Sequence, residues 1–262
     1  MLRMKSTLLI LILLSLCLPL QQSAYAILAH RCFSNETYNP SSIFASNLQE
    51  LFNFHQILVP PTGFGKGSIG HGENQVFGLG QCRGDVPRTR CLNCISEAMF
   101  WLRWSCPISR GAIMWFDLCL FKYSNVNFYG QIDDTNNYIR RNATSISNPT
   151  VIFNQVNNLI FTLSFVASAN PLFLATASAR TDDSRTLYGL VECTRDLTPE
   201  DSIRCLNLVR VRLIPWGIAG AQFGYGSCYA RYEIYSFFGQ APAAIYNMVS
   251  NNTHVLIDNQ VV

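Results

Sequence analysis

The stretch that decides how the chain folds is Gly80-Gln81-Cys82-Arg83-Gly84-Asp85-Val86-Pro87-Arg88-Thr89-Arg90-Cys91-Leu92-Asn93-Cys94. Eight residues separate its first two cysteines, and two separate the last two. Apolar residues continue from it at helical spacing, at Leu92, Ile95, Met99 and Leu102. Cys94 therefore lies on the inward face of a predicted helix, and the spacing predicts a tie between a strand end and that helix.

A second stretch nearly repeats this pattern. Residues 188–193 echo residues 77–82, and Cys205 follows at the offset of Cys94. Other segments recur in the same order, namely Asn39-Pro40 as Asn148-Pro149 and Lys122-Tyr123 as Arg231-Tyr232. The sequence therefore predicts an α+β fold of two tandem copies of one small domain, each with two helices packed on an antiparallel sheet.

The first residues have the features of a secretory signal peptide. Arg3 and Lys5 form a basic start, an apolar run covers residues 8–20, and Ala24-Tyr25-Ala26 is a small-residue cleavage site. We assign residues 1–26 to this signal. The predicted divisions that follow are a first domain at 27–131, a linker at 132–142, a second domain at 143–240 and a tail at 241–262.

An uncharged stretch at residues 159–179 is long enough to cross a membrane. Asn170-Pro171 interrupts it, however, and the repeat places a helix, a loop and a strand there. We therefore predict no membrane span and a secreted, extracellular protein.

Charge and cysteine usage agree with secretion. The net charge of +3 falls close to zero once Arg3 and Lys5 leave, so no nucleic-acid partner is expected. Ten cysteines become an odd number when Cys17 leaves with the signal, and disulfides persist in an oxidising compartment. Sequons at Asn35, Asn142 and Asn251 predict N-glycosylation.

Motifs for chemistry are scarce. Cys91 and Cys94 have zinc-ligand spacing but no further ligands at suitable spacing, and no histidine falls in a metal or nucleophile motif. Residues 65–70 match the glycine pattern of dinucleotide-binding loops, but a predicted helix precedes them where a strand is required. We interpret residues 60–74 as a loop, and predict a non-enzymatic protein with no catalytic residue, cofactor or metal.

The cysteine core, its preceding Gly78-Leu79 and the ending Cys119-Leu-Phe-Lys-Tyr-Ser resemble the plant cysteine-rich repeat secretory protein family. The domain of that family is similar to the antifungal protein ginkbilobin, and the resemblance covers about residues 30–239. Pairs of such domains also form the outer part of cysteine-rich receptor-like kinases and plasmodesmata-located proteins. This chain resembles the form with neither kinase nor membrane anchor.

The residues alone leave the cysteine pairing open, since six cysteines can pair in many ways. The resemblance implies Cys32 with Cys106, Cys82 with Cys91, and Cys94 with Cys119. In the second copy Ser202 replaces a family cysteine, so that Cys205 with Cys228 is the one complete pair and Cys193 is the predicted free thiol. That thiol is either buried and inert, or accessible and able to form a dimer through Cys193.

The resemblance also implies where a sugar would bind. Ginkbilobin-like domains hold mannose with an asparagine after the first cysteine, an arginine six residues before the last and a glutamate five residues after it. The first copy has Phe33, Ile113 and Ser124 at these positions. The second has Gln222 and Glu233, without a first cysteine to locate the asparagine. Glu233 is therefore the sugar-site candidate, and the competing interpretation is a solvated strand residue.

Together these observations predict a secreted binding protein for stress or defence-related recognition. Its partner would be an extracellular protein or a cell-wall glycan. The alternative is a mannose-binding, lectin-like antifungal protein.

Overall fold

The computed structural model describes residues 25–145, 149–181, 185–213 and 217–239, together with a short strand at 246–248. Apart from residues 25 and 26, the predicted signal peptide lies outside the described residues. So do the sequon at Asn251 and the rest of the predicted tail.

The first domain is a five-stranded antiparallel sheet covered on one face by two helices. Its elements in chain order are β1 (Ile27–Cys32), α1 (Ile43–Leu58), β2 (Phe64–Ile69), β3 (Val76–Cys82), α2 (Arg88–Ser105), β4 (Gly111–Phe116) and β5 (Cys119–Ser124). The strand order is β1-β4-β5-β3-β2. Ser42 caps the start of helix α1, since its side chain accepts a hydrogen bond from the Ala45 N–H.

The glycine-rich segment that we interpreted as a loop contains strand β2, so that prediction was wrong. Helix α1 packs directly on this strand. A Cβ at Gly65 would lie 2.7 Å from Cγ of Leu58, and one at Gly67 would lie 2.6 Å from Cε1 of Phe54. Glycine therefore permits close approach of the helix, rather than providing flexibility or a phosphate cradle.

The second domain repeats this architecture. Its elements are β6 (Asn137–Arg141), α3 (Pro149–Ala169), β7 (Leu174–Arg180), β8 (Thr186–Cys193), α4 (Pro199–Arg212), β9 (Ala221–Tyr225), β10 (Cys228–Glu233) and β11 (Tyr246–Met248). The order is β11-β7-β8-β10-β9-β6, antiparallel except that β11 joins β7 in parallel. The tandem α+β prediction is confirmed. Strand β6, however, lies inside the predicted linker 132–142, and β11 lies inside the predicted tail.

Helix α3 has the length and hydropathy of a membrane span by composition alone, and it is the one such helix among the described residues. One side of it packs into the core of the second domain through Ile152, Val156, Leu159, Ile160 and Leu163. It ends at Ala169, and β7 follows after a short loop, as the repeat predicts. The apolar composition of α3 is thus explained in part by the core that it fills.

The two domains meet through the sheet faces that the helices leave uncovered. Nε2 of Gln81 donates to the Cys193 carbonyl (2.9 Å), and Oε1 of Gln81 accepts from the Arg195 N–H (3.0 Å). In the opposite direction, Oε1 of Glu192 accepts from the Gly84 N–H (3.0 Å). Gln81 and Glu192 occupy equivalent positions in the two repeats, so the interface has local two-fold symmetry with an acid in place of one amide.

A second reciprocal pair strengthens this interface. The carboxylate of Asp85, before α2, accepts from the Gly239 N–H at 3.1 Å. Its counterpart Asp196, before α4, accepts from the Gly130 N–H at 2.9 Å. Each domain therefore binds a backbone N–H beyond the last antiparallel strand of the other.

The disulfides of the first domain join the pairs of cysteines that the resemblance implies, whereas the disulfide of the second domain joins a different pair. The first-domain bonds are Cys32–Cys106, Cys82–Cys91 and Cys94–Cys119. In the second domain the bond is Cys193–Cys228, and the unbonded cysteine is Cys205, which is buried. The structure thus differs from the predicted pairing: Cys228 bonds to Cys193 rather than to Cys205, and the thiol is at Cys205 rather than at Cys193, so the dimer predicted through Cys193 has no free thiol in this arrangement.

The reason for this difference lies in strand register. Cys193 and Cys228 lie directly opposite each other on β8 and β10, as Cys82 and Cys119 do on β3 and β5. In the first domain each of those two strand cysteines bonds instead to a cysteine of α2. Ser202 supplies no sulfur for Cys193, which bonds across the strands instead.

Candidate functional site

The candidate site lies at the end of the uncovered face of the second sheet, on three neighbouring strands. Strand β6 ends at Arg141, which is paired with Ala221 as Cys32 is paired with Ala112 in the first domain. The next residue, Asn142, donates its N–H to the Gly220 carbonyl (2.8 Å), as Phe33 does to that of Gly111 (2.9 Å). Asn142 therefore occupies the position after the missing first cysteine.

Asn142 was not predicted from the sequence as a sugar-site residue. The asparagine of the family's mannose site is located by the first cysteine, and the second copy lacks that cysteine. The repeat itself held the signal, since Arg141 and Asn142 follow Cys32 and Phe33 at the offset that relates Lys122 to Arg231. The structure brings Asn142 to the same region as Glu233, the predicted sugar-site candidate, and Gln222, which stands where the family has arginine. We call these three residues and Arg231 the second-domain polar cluster.

Glu233 is buried at 6% exposure, so it is not a solvated strand residue. Its Oε1 accepts from Nε and Nη2 of Arg231, at 3.1 and 3.0 Å. Its Oε2 is buried without a hydrogen-bond partner and lies against Gly220, where any side chain would clash with it. A buried carboxylate oxygen without a partner costs free energy, and a hydrogen bond from a bound ligand would offset that cost.

The neighbouring groups supply further hydrogen-bonding capacity. Arg231 lies opposite Gln222 in the strand register and stacks on Phe237, with its guanidinium carbon 4.1 Å from the ring centroid. The guanidinium of this cluster therefore comes from β10, across from the position on β9 where the family has arginine. Asn142 is half-buried, and its Oδ1 accepts from the Thr144 N–H (3.0 Å), which leaves the side-chain NH₂ to donate outward.

In the equivalent site of the first domain, the charged groups pair with each other. Nζ of Lys122, the counterpart of Arg231, pairs with Asp133 at 2.6 Å and lies 4.4 Å from the Phe128 ring centroid. Burial acts to raise the pKa of Asp133, but the charge and hydrogen bond of Lys122 outweigh it and the pKa is lowered. A cleft of about 390 Å³ remains beside Phe33 and Ser124, without a carboxylate at position 124.

The predicted glycosylation sites among the described residues differ in their surroundings. Asn35 is exposed and open to glycosylation, whereas Asn142 belongs to the polar cluster.

Among the described residues, the one group of metal-ligating side chains close enough to share an ion is Cys193, Cys205 and Cys228, and two of these form a disulfide. The cluster of Asn142, Gln222, Arg231 and Glu233 can thus donate and accept hydrogen bonds, and the structure gives it no nucleophile.

Comparisons with known proteins agree with this architecture. Residues 31–126, the first domain, match the family described as salt stress response/antifungal. An antimicrobial ginkbilobin-2-like protein of Castanea crenata is 42% identical over 80% of this chain and 88% of its own length. Cysteine-rich repeat secretory protein 38 of Arabidopsis thaliana is 38% identical over 83% and 88%.

A solved structure extends the similarity to both domains. It is the tandem DUF26 ectodomain of a cysteine-rich receptor-like protein of Arabidopsis thaliana, with 25% identity and a TM-score of 0.69. The alignment covers 80% of this chain and 98% of the solved one. The tandem arrangement is therefore shared with an ectodomain of known structure.

Proposed function

The chain belongs to the salt stress response/antifungal family of cysteine-rich repeat secretory proteins, and on that premise we propose that it is a secreted, non-enzymatic binding protein of the apoplast. Its role in this proposal is recognition in stress or defence, and its ligand is a cell-wall glycan. The relatives support an extracellular role, since they are named secretory, antimicrobial-like or ectodomain proteins.

One observation carries the choice of a glycan over a protein surface as ligand. Oε2 of Glu233 has no hydrogen-bond partner, and it lies with the rest of the second-domain polar cluster at the end of the sheet face that the helices leave uncovered. Sugar hydroxyls both donate and accept, so they pair with convergent groups of this kind, whereas an apolar partner would leave Oε2 unsatisfied. Mannose is the specific candidate, because the mannose site of the ginkbilobin-like domains that this chain resembles has a glutamate at the position of Glu233.

Glycan-array binding by the signal-cleaved protein, followed by calorimetry on any hit, tests the proposal. Glu233→Ala is expected to weaken a specific hit about 10- to 100-fold, the usual effect of losing a hydrogen bond to a charged group. Since that change also leaves Arg231 without its carboxylate partner, Gln222→Ala on the adjacent strand serves as a second variant. It is expected to weaken binding without exposing a charge.

Ser124→Ala is the matched control, because Ser124 holds the position of Glu233 in the first domain. It should bind as the unchanged protein does. The glycan proposal fails if the array shows no specific ligand, or if both second-domain variants remain folded and bind with unchanged affinity.

A further inference from the structure

Three sulfur atoms lie together in the core of the second domain. Those of Cys193, Cys205 and Cys228 are all buried and lie within 4.8 Å of one another. Two of them form the Cys193–Cys228 disulfide, and Cys205 remains a thiol. A thiol at this distance from a disulfide is placed to exchange with it.

The fold accommodates a second pairing of the same cysteines. In the first domain, the α2 cysteine Cys94 is bonded to Cys119 at the start of β5, with their Cα atoms 6.1 Å apart. Cys205 on α4 and Cys228 at the start of β10 are the repeat counterparts of these two residues. Within one chain, the two repeats thus display both ways of bonding the cysteine that begins this strand.

We propose that the second domain exchanges between two disulfide isomers, one with Cys193–Cys228 bonded and Cys205 as thiol, the other with Cys205–Cys228 bonded and Cys193 as thiol. The Cys205 thiol loses its proton, and the thiolate attacks Sγ of Cys228. The Cys205–Cys228 bond forms as the Cys228–Cys193 bond breaks, and Cys193 leaves as a thiolate that takes up a proton. One disulfide and one thiol are present before and after, so the exchange needs no oxidant or reductant.

The two isomers differ in how α4 is attached. The Cys193–Cys228 bond joins strands that already pair by hydrogen bonds, so α4 has no covalent tie to the sheet. The Cys205–Cys228 bond ties α4 to β10, as α2 is tied to β5. Exchange therefore changes which part of the second domain can open locally.

The structure also sets a limit on the rate of this exchange. Burial raises the pKa of the Cys205 thiol, and the carboxylates of Asp133, Asp134, Asp201 and Asp196 raise it further. Little thiolate is present in the closed core, and the exchange is slow there. Local opening of the first turns of α4 admits solvent to Cys205 and permits the attack.

Thiol mapping of the mature protein tests the proposal without any mutation. The folded protein is incubated at mildly alkaline pH, quenched in acid, unfolded and alkylated with N-ethylmaleimide, and the labelled cysteine is identified by peptide mass spectrometry. We expect one labelled thiol per chain, divided between Cys193 and Cys205. Label on Cys205 alone, or on Cys193 alone, at every incubation time would overturn the proposal.

Two variants give an independent measurement. Cys193→Ser is expected to form Cys205–Cys228 and lose the single thiol entirely, and two thiols per chain in this variant would contradict the second pairing. Cys205→Ser is the matched control, since it retains Cys193–Cys228 and cannot exchange. It should also show no thiol, and hydrogen exchange in α4 should be faster in it than in Cys193→Ser.

Discussion

Replacing Glu192 by glutamine is expected to raise the free energy of unfolding at neutral pH and to flatten its dependence on pH between about 4.5 and 8. Glu192 is buried at the domain interface, and burial raises its pKa from the ordinary 4.5 to about 8. The positive charges of Arg83 and Arg195, with the hydrogen bond from Gly84, oppose this rise without cancelling it. The folded protein therefore holds a proton there that the unfolded chain has released.

The sign of the effect follows from proton linkage. Below about pH 4.5 both states are protonated at Glu192, and its contribution to stability is fully present. As the pH rises the unfolded chain loses this proton first, so stability falls by up to about 1.4 kcal/mol per pH unit. This contribution is lost as the pH passes through the folded pKa of about 8. Glutamine carries no such proton, so the variant should lack this slope.

The symmetric position supplies the matched control. Gln81 already accepts from Arg195 and donates to the Cys193 carbonyl, so glutamine is compatible with this geometry. Gln81→Glu is expected to add a second pH-dependent contribution of the same sign. The free energy of unfolding of the unchanged protein and the two variants is measured by denaturant unfolding from pH 4 to 8. The contributions of the other titrating groups cancel when a variant is subtracted from the unchanged protein. Equal slopes for the unchanged protein and Glu192→Gln would refute a buried neutral acid at this interface.

The repeat and the helix starts could be predicted from sequence because short-range chemistry encodes them. Ser42 begins α1 as a cap, and the Thr198 hydroxyl accepts from the Asp201 N–H at the start of α4. Strand β2 could not be predicted, because its glycines serve contacts with α1 that are distant in sequence. Local composition alone resembled that of a loop.

The candidate site was predicted in part for a related reason. Glu233 and Gln222 lie at fixed distances from the retained Cys228, so counting residues located them. Asn142 could be located only through strand pairing, since the cysteine that precedes it in the family is absent. The bonding partner of Cys193 could not be predicted for the same reason. Cys228 lies opposite Cys193 because of the strand register, and the spacing of cysteines along the sequence does not reveal that register.

Restoring the lost cysteine by Ser202→Cys is expected to give the second domain the bonding pattern of the first. The N–H of Ser202 donates to the Thr198 carbonyl in the first turn of α4, as that of Cys91 donates to the Pro87 carbonyl in α2. Sγ of Cys193 lies 3.7 Å from the carbonyl oxygen of Ser202, so the two residues are in contact. A sulfur at position 202 can therefore bond to Cys193, which leaves Cys228 to pair with Cys205.

The expected gain in the free energy of unfolding is about 2–3 kcal/mol, the usual effect of closing a short loop with a disulfide. The Ser202 hydroxyl is buried without a hydrogen-bond partner, so its replacement leaves no polar group unsatisfied. Ser202→Ala is the matched control, since it removes the hydroxyl without adding a sulfur. Ser202→Cys should show no thiol in denaturant and unfold at a higher temperature than Ser202→Ala. Two thiols per chain, with a melting temperature equal to that of the alanine variant, would show that α4 holds position 202 too far from Cys193.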